Sequence, residues 1–230
     1  MKNYFKVIWR SFAKNAAKLI SLTVIMALGI AFVAGLGTLS PTILDAIDAG
    51  LEASSAPDFI IKSHSPLGFT EEQRDKIASL SFVTATDAVT VADMDDGGCN
   101  TRIYVYSSFD TTLNELEIEG EVPSAAGEVL VERQNNYTEA YSAGDKITML
   151  GAEYTVTGIV SNPLIFDRLG EPDTVNTQPL EKIVYFSAEY FPLTMPVTDV
   201  YASADALRGL DRFSDEYEER AEEYASKFSA

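Results

Sequence analysis

The chain has 230 residues, and 35 Asp and Glu against 17 Lys and Arg leave it with a net charge of −18. That surplus excludes nucleic acid, and anionic lipid headgroups, as ligands of its acidic part. One histidine and one cysteine exclude His-pair zinc motifs, an internal disulfide and any cysteine-based metal site.

The chain opens with five basic residues, Lys2, Lys6, Arg10, Lys14 and Lys18, and no acidic one before Asp45. Tyr4, Phe5, Ile8, Trp9 and Phe12 lie among them. This spacing suits a helix in the headgroup region, where aromatic rings anchor and lysines snorkel. Leu19 to Leu39 then run without a charged side chain. As a helix the run covers roughly 31 Å, the thickness of a bilayer core. Basic flanks of a first span stay in the cytoplasm, so the N-terminus is expected inside and the acidic remainder outside, at the cell membrane. A cleaved secretory signal is the rival reading. It requires a shorter apolar run with small-residue cleavage positions directly after it, whereas Ala53 to Ala56 lie far downstream. Within the span, Ala27, Ala31 and Gly35 recur every four residues, a small-residue face on which another helix packs closely.

Beyond Pro41, Ile43, Leu44, Ile47 and Leu51 keep helical spacing, so a helical stalk is expected to end near Ala53-Ser54-Ser55-Ala56-Pro57. Phe59 to Ile61 reads as a strand. Thr70-Glu71-Glu72-Gln73 is a capping box opening a helix to about Ser79. Val83–Ala92 and Thr101–Ser107 flank Asp95-Asp96-Gly97-Gly98, a hairpin signal. Glu128–Glu132 is a further strand, Asn136–Tyr141 a short helix, and Lys146–Leu150 with Glu153–Val160 a hairpin around Gly151-Ala152. A loop is expected over 162–181, then strands near Ile183–Phe186 and Val200–Ala202. From Ser214 the chain is helical and acidic, with Phe213, Tyr217, Ala221, Tyr224 and Phe228 on one side and glutamates on a solvated face. That helix reaches the last residues without a cap, so we expect a fragment whose helix continues toward the membrane or a coiled coil.

Mixed strands with few helices give an α+β fold. The expected organisation is a leader (1–18), a transmembrane helix (19–39), a helical stalk (40–56), an extracytoplasmic α+β domain (57–204) and a long acidic helix (205–230). Catalytic chemistry finds no foothold. There is no P-loop, His64 sits in a loop with no partner base, and Cys99 reads as an incidental thiol. Asp93, Asp95 and Asp96 resemble half a calcium loop, but the fifth and twelfth positions hold Gly97 and Tyr104. A solvated hairpin tip is expected there.

The leader and span, with Arg10-Ser11 and Asn15, resemble the start of FtsX/MacB-type permeases of ABC transporters. Gly120-Glu121-Val122-Pro123, Gly127-Glu128-Val129-Leu130-Val131, Gly144-Asp145-Lys146-Ile147 and Tyr154 to Val160 are similar, in order and spacing, to that family's outer-domain series. The resemblance implies a MacB periplasmic-core-like domain and no activity or cofactor in this chain. It also implies ATP on a separate cytoplasmic ABC ATPase subunit, a second permease copy or homologue as partner, and further spans beyond Ala230. The alternative is a single-pass, membrane-anchored binding module; a membrane-tethered hydrolase lacks a nucleophile–base pair.

Overall fold

The structure is a computed structural model that describes residues 14–134, 140–165 and 180–228. It divides into two compact units, Met1–Ile47 and Asp48–Ala230.

In the first unit the described chain is helical. Helix α1 (Ala16–Ala53) begins here and ends in the second unit. Among the described residues one helix is long and apolar enough to cross a membrane, over the 20 residues Ala16–Gly35. Its apolar side chains face outward, with Ile30, Phe32 and Val33 at 68–69% exposure. In water such exposure would be costly, about 25 cal/mol for each Å² of apolar surface; in a bilayer it is the stable arrangement. Ala27, Ala31 and Gly35 are exposed on this helix. Helix α1 is continuous through Pro41 to Ala53. Of the leader only residues 14–18 are described, and Ala16–Lys18 already belong to α1.

The second unit is built on one nine-stranded mixed sheet. Its strands are β1 (Phe59–Lys62), β2 (Val83–Asp95), β3 (Asn100–Tyr106), β4 (Glu117–Gly120), β5 (Glu128–Glu132), β6 (Lys146–Met149), β7 (Ala152–Ser161), β8 (Lys182–Ser187) and β9 (Asp199–Ala204). Their order is β1-β9-β2-β3-β8-β5-β7-β4, with β6 also on β7. The β3–β8 and β5–β7 pairs are parallel and the others antiparallel. Helices α2 (Glu71–Ala78) and α3 (Asp215–Phe228) complete the fold.

The burial patterns follow from position in the sheet. Strands β3, β5 and β8 are central and buried on both faces, which is why NTRIYVY, EVLVE and KIVYFS carry unbroken apolar runs. The β6–β7 hairpin is wetted on one face, and its residues alternate. One face of the sheet carries Tyr104, Tyr106, Tyr185 and Tyr201 with Val89, Leu130 and Ile183. Its covers, Phe109, Leu116, Leu164 and Ile165, belong to stretches outside any named helix or strand. The other face packs Ile103, Val105, Val129, Val184 and Phe186 against Ile147, Met149 and Tyr154 of the hairpin.

Most expected elements are found. The Thr70 box closes as anticipated, with Gln73 N–H donating to Thr70 Oγ1 (3.2 Å) and Thr70 N–H to Gln73 Oε1 (2.9 Å). Along α3, Tyr217, Ala221, Tyr224 and Phe228 are half-buried, while Glu218, Glu219, Glu222 and Glu223 are exposed. The aromatic side of that helix rests on the domain itself: Phe228 meets Phe59 (5.1 Å between ring centres) and Phe82 (5.3 Å).

Three readings are corrected or bounded. Strand β4 was not expected, because EIEG is short and acidic and only tertiary pairing with β7 makes it a strand. Asp93 is not part of a solvated tip; its side chain is 2% exposed and grips Arg102 Nε and Nη2 at 2.6 and 2.9 Å. Asp95 and Asp96 do form the tip, accepting from Gly98 N–H and Leu150 N–H. The proposed helix at 136–141 lies mostly outside the described residues, and Ala140 and Tyr141 are not helical. Most of the expected 162–181 loop lies outside them too.

Candidate functional site

The glycines that punctuate the outer part of the sequence meet across one strand pair. Gly120, at the end of β4, has φ +117 and stands opposite Gly158 of β7. A Cβ on Gly120 would come within 2.5 Å of Thr157 O, and one on Gly158 within 2.8 Å of Glu119 O. Backbone therefore approaches backbone too closely for any side chain. Beside them Glu128, at the start of β5, accepts Ser124 N–H (2.7 Å) and Ala125 N–H (3.0 Å), which holds its carboxyl below the usual range. Gly144, with φ +96, turns the chain into β6. Strands β4, β5, β6 and β7 thus bring four separate sequence segments together in one half of the sheet.

At another edge the chain enters and leaves the domain, and Arg212 ties the two points together. Its Nη2 donates to Ala56 O (2.8 Å) and its Nη1 to Pro57 O (3.2 Å), the residues that follow α1. The same guanidinium lies 3.5 Å from Asp58 Oδ1 and 3.8 Å from Asp48 Oδ1. Asp58 also accepts Ala204 N–H (2.9 Å) and Tyr217 O–H (3.0 Å). Tyr217 stands at the N-terminal turn of α3, capped by Ser214; burial and then the Asp58 charge push its hydroxyl well above the usual range. On the other side, Ser54 O and Ser55 O accept Glu115 N–H (2.8 Å) and Asn114 N–H (2.9 Å). Ser55 and Asn114 both hold a positive φ, 51 and 52.

A cleft of 640 Å³ opens beside this knot, lined among others by Asp48, Glu52, Asp58, Arg208, Asp211 and Arg212. A second, shallower one of 670 Å³ lies by Phe82, Tyr224 and Lys227. Among the described residues no group of His, Cys, Asp and Glu is placed to bind a metal. His64 is exposed and Cys99 half-buried, as their loop positions imply. Charge-assisted bonds join Arg212, just before α3, to the residues that follow α1.

Sequence patterns did not single out Arg212, Asp58 or Asn114. Their partners lie up to 159 residues away in the chain, and no local spacing marks them.

The class that the fold defines is an α+β domain on one mixed sheet. No protein-family model and no curated protein matches the sequence. Among solved structures, the chain is similar to the extracellular domain of the noncanonic ABC-type transporter YknZ from Gram-positive bacteria. The two share 13% identity over 71% of this chain and 86% of that one, with a TM-score of 0.38. It is also similar to the periplasmic region of MacB from Actinobacillus actinomycetemcomitans, at 10% identity over 74% and 83% of the two chains and a TM-score of 0.36.

Proposed function

We propose that this chain is the first span and extracytoplasmic domain of an FtsX/MacB-type ABC-transporter permease. The leader (1–18) and span (19–39) hold it in the cell membrane with the N-terminus in the cytoplasm. The stalk (40–56) leads to the α+β domain (57–204) and the acidic helix (205–230). ATP is bound and hydrolysed by a separate cytoplasmic ATPase subunit. A second permease copy or homologue packs against the span, with Ala27, Ala31 and Gly35 as the contact face. The chain performs no chemistry of its own and needs no cofactor.

The observation that carries this reading is the fate of the motif series. Gly120, the Glu128 strand, Gly144 and Gly158 recur in the family's order, and here they assemble into one structural unit, with Gly120 and Gly158 as direct partners. Ordered motifs that converge in space are what a shared fold requires, whereas chance matches have no reason to meet. The uncharged first helix supplies the membrane attachment that a permease needs.

The test expresses the chain with the ABC ATPase and permease encoded beside its gene and isolates it from detergent-solubilised membranes through a tag. Co-isolation of both, reduced by replacing Gly35 with Leu, is expected. In intact cells an impermeant maleimide is expected to label H64C in a C99S background. Label appearing only after lysis would remove the extracytoplasmic placement. Outside labelling without either partner would leave the single-pass binding module, for which the 640 Å³ cleft is the favouring observation.

A further inference from the structure

The tyrosine face of the sheet hides a chain of polar contacts that neither the motif series nor the Arg212 knot employs. Glu132, the last residue of β5, is 7% exposed. Its carboxylate accepts the Tyr185 hydroxyl from β8 and Asn162 N–H (3.1 Å) from the end of β7. Asn162 Oδ1 accepts Asn114 Nδ2 (3.1 Å) and Leu164 N–H (3.0 Å). Asn114 N–H in turn donates to Ser55 O (2.9 Å). An unbroken series of bonds therefore joins a buried acid to the residues that follow α1.

Three features mark this as a place that opens. Among the described residues, Asn114 Oδ1, Asn162 Nδ2 and the Tyr106 hydroxyl are buried without a hydrogen bond, although that hydroxyl lies against the Asn114 amide and the Tyr201 hydroxyl. Such groups gain from contact with water. Among the described residues, 162–165 and the stretch holding Leu113 and Asn114 lie on this side of the sheet, none of them in a named strand or helix. Cover that lies outside the hydrogen-bonded ladder of the sheet opens at lower free energy than the strands beneath it. The charges facing Glu132 also leave it without an ion pair among the described residues. Tyr104 and Tyr185 face it from β3 and β8; Arg133, next in the chain, is half exposed and bound to Glu119 of β4 (2.9 Å), with Glu117 beyond.

We infer that Glu132 is a proton-dependent latch: while neutral it keeps residues 162–165 and, through Asn114, residues 54–55 in place, and each opening of that cover releases its proton to water. In the closed form the neutral acid accepts Asn162 N–H at one oxygen and Tyr185 O–H at the other. On opening, the carboxyl O–H breaks, the carboxylate is hydrated and the proton passes to solvent. Burial pushes the closed-form carboxyl up to about 7, so the latch works across near-neutral pH. The inference concerns the folded domain alone and stands whether or not the chain is a permease.

Hydrogen exchange of the full chain in detergent micelles, from pH 5 to 8 and corrected for the intrinsic rate, tests it. Opening coupled to one released proton rises about tenfold per pH unit below the closed-form pKa and levels off above it. Protection at 162–165 and 113–115 is expected to fall together in this way. Glu132→Gln should abolish the fall at both. Asn114→Gly, which tolerates the positive φ, should leave the fall at 162–165 and remove it at 113–115. Tyr185→Phe takes away a donor that favours the ionised form, so the levelling-off should move to higher pH. A flat wild-type profile, an unchanged fall in Glu132→Gln, or an unmoved levelling-off in Tyr185→Phe would overturn the latch. The tyrosine variant keeps the decision open to experiment if the glutamine variant does not fold.

Discussion

Replacing Arg212 with alanine tests the entry–exit knot most directly. The guanidinium makes two charge-assisted bonds to backbone carbonyls and lies 3.5 Å from Asp58, with only 20% of its side chain exposed. A hydrogen bond to a charged group contributes about 1.5–3 kcal/mol. The full sum is not lost, for two reasons: the cleft admits water to the freed carbonyls, and Asp58 keeps Ala204 N–H and Tyr217 O–H as donors. We expect a loss of about 3 kcal/mol, which for a unit of this size lowers Tm by roughly 6–12 °C. Scanning calorimetry of the chain in detergent at neutral pH measures it. Arg212→Lys should fall in between, because a single ammonium cannot span both carbonyls and Asp58. Tyr217→Phe should cost about 1 kcal/mol, and less than that in the Arg212→Ala background, since both side chains act on Asp58. A Tm within 2 °C of wild type for Arg212→Ala would show that the knot does not hold the domain.

Other consequences are equally direct. Glu132 has its pKa raised on folding, so its contribution is full below about pH 4.5 and is lost as pH climbs to about 7. The domain should therefore become less stable by about 3 kcal/mol over that window, visible as a falling urea midpoint that Glu132→Gln flattens. Gly120→Ala and Gly158→Ala each drive a Cβ into backbone at 2.5 and 2.8 Å. Each should lower stability by about 2–4 kcal/mol, while Gly97→Ala, at an open turn, should cost about 1 kcal/mol; denaturant titration ranks them. Arg102→Ala takes the guanidinium away from a carboxylate at 2% exposure and should cost about 3–5 kcal/mol, whereas the double change Arg102→Met, Asp93→Leu should recover most of it. A double variant no better than Arg102→Ala would contradict that account.

Much of this molecule is legible along the chain because the responsible forces are local or periodic. An uncharged run flanked by basic residues defines the first helix. The Thr70–Gln73 box opens α2, and the alternation in KITML and EYTVTGIV marks the β6–β7 hairpin. The α+β class follows from those elements in sequence. The glycine series is legible as well, since each member needs a backbone geometry that other residues resist.

Other features have no local signature because their causes lie far off in the chain. EIEG becomes a strand only because β7 offers an edge to it. Asp93, placed by its neighbours in a wet turn, is buried because Arg102 sits opposite it in the hairpin register. EVLVE reads as a strand, and what its sequence does not show is that its last glutamate is buried, accepting Asn162 N–H and Tyr185 O–H. Arg212 and Asn114 acquire their roles from partners brought together when the sheet closes. Hydrophobic period and turn chemistry are written residue by residue, whereas the solvation of a single charge depends on every segment packed around it, and that is settled on folding.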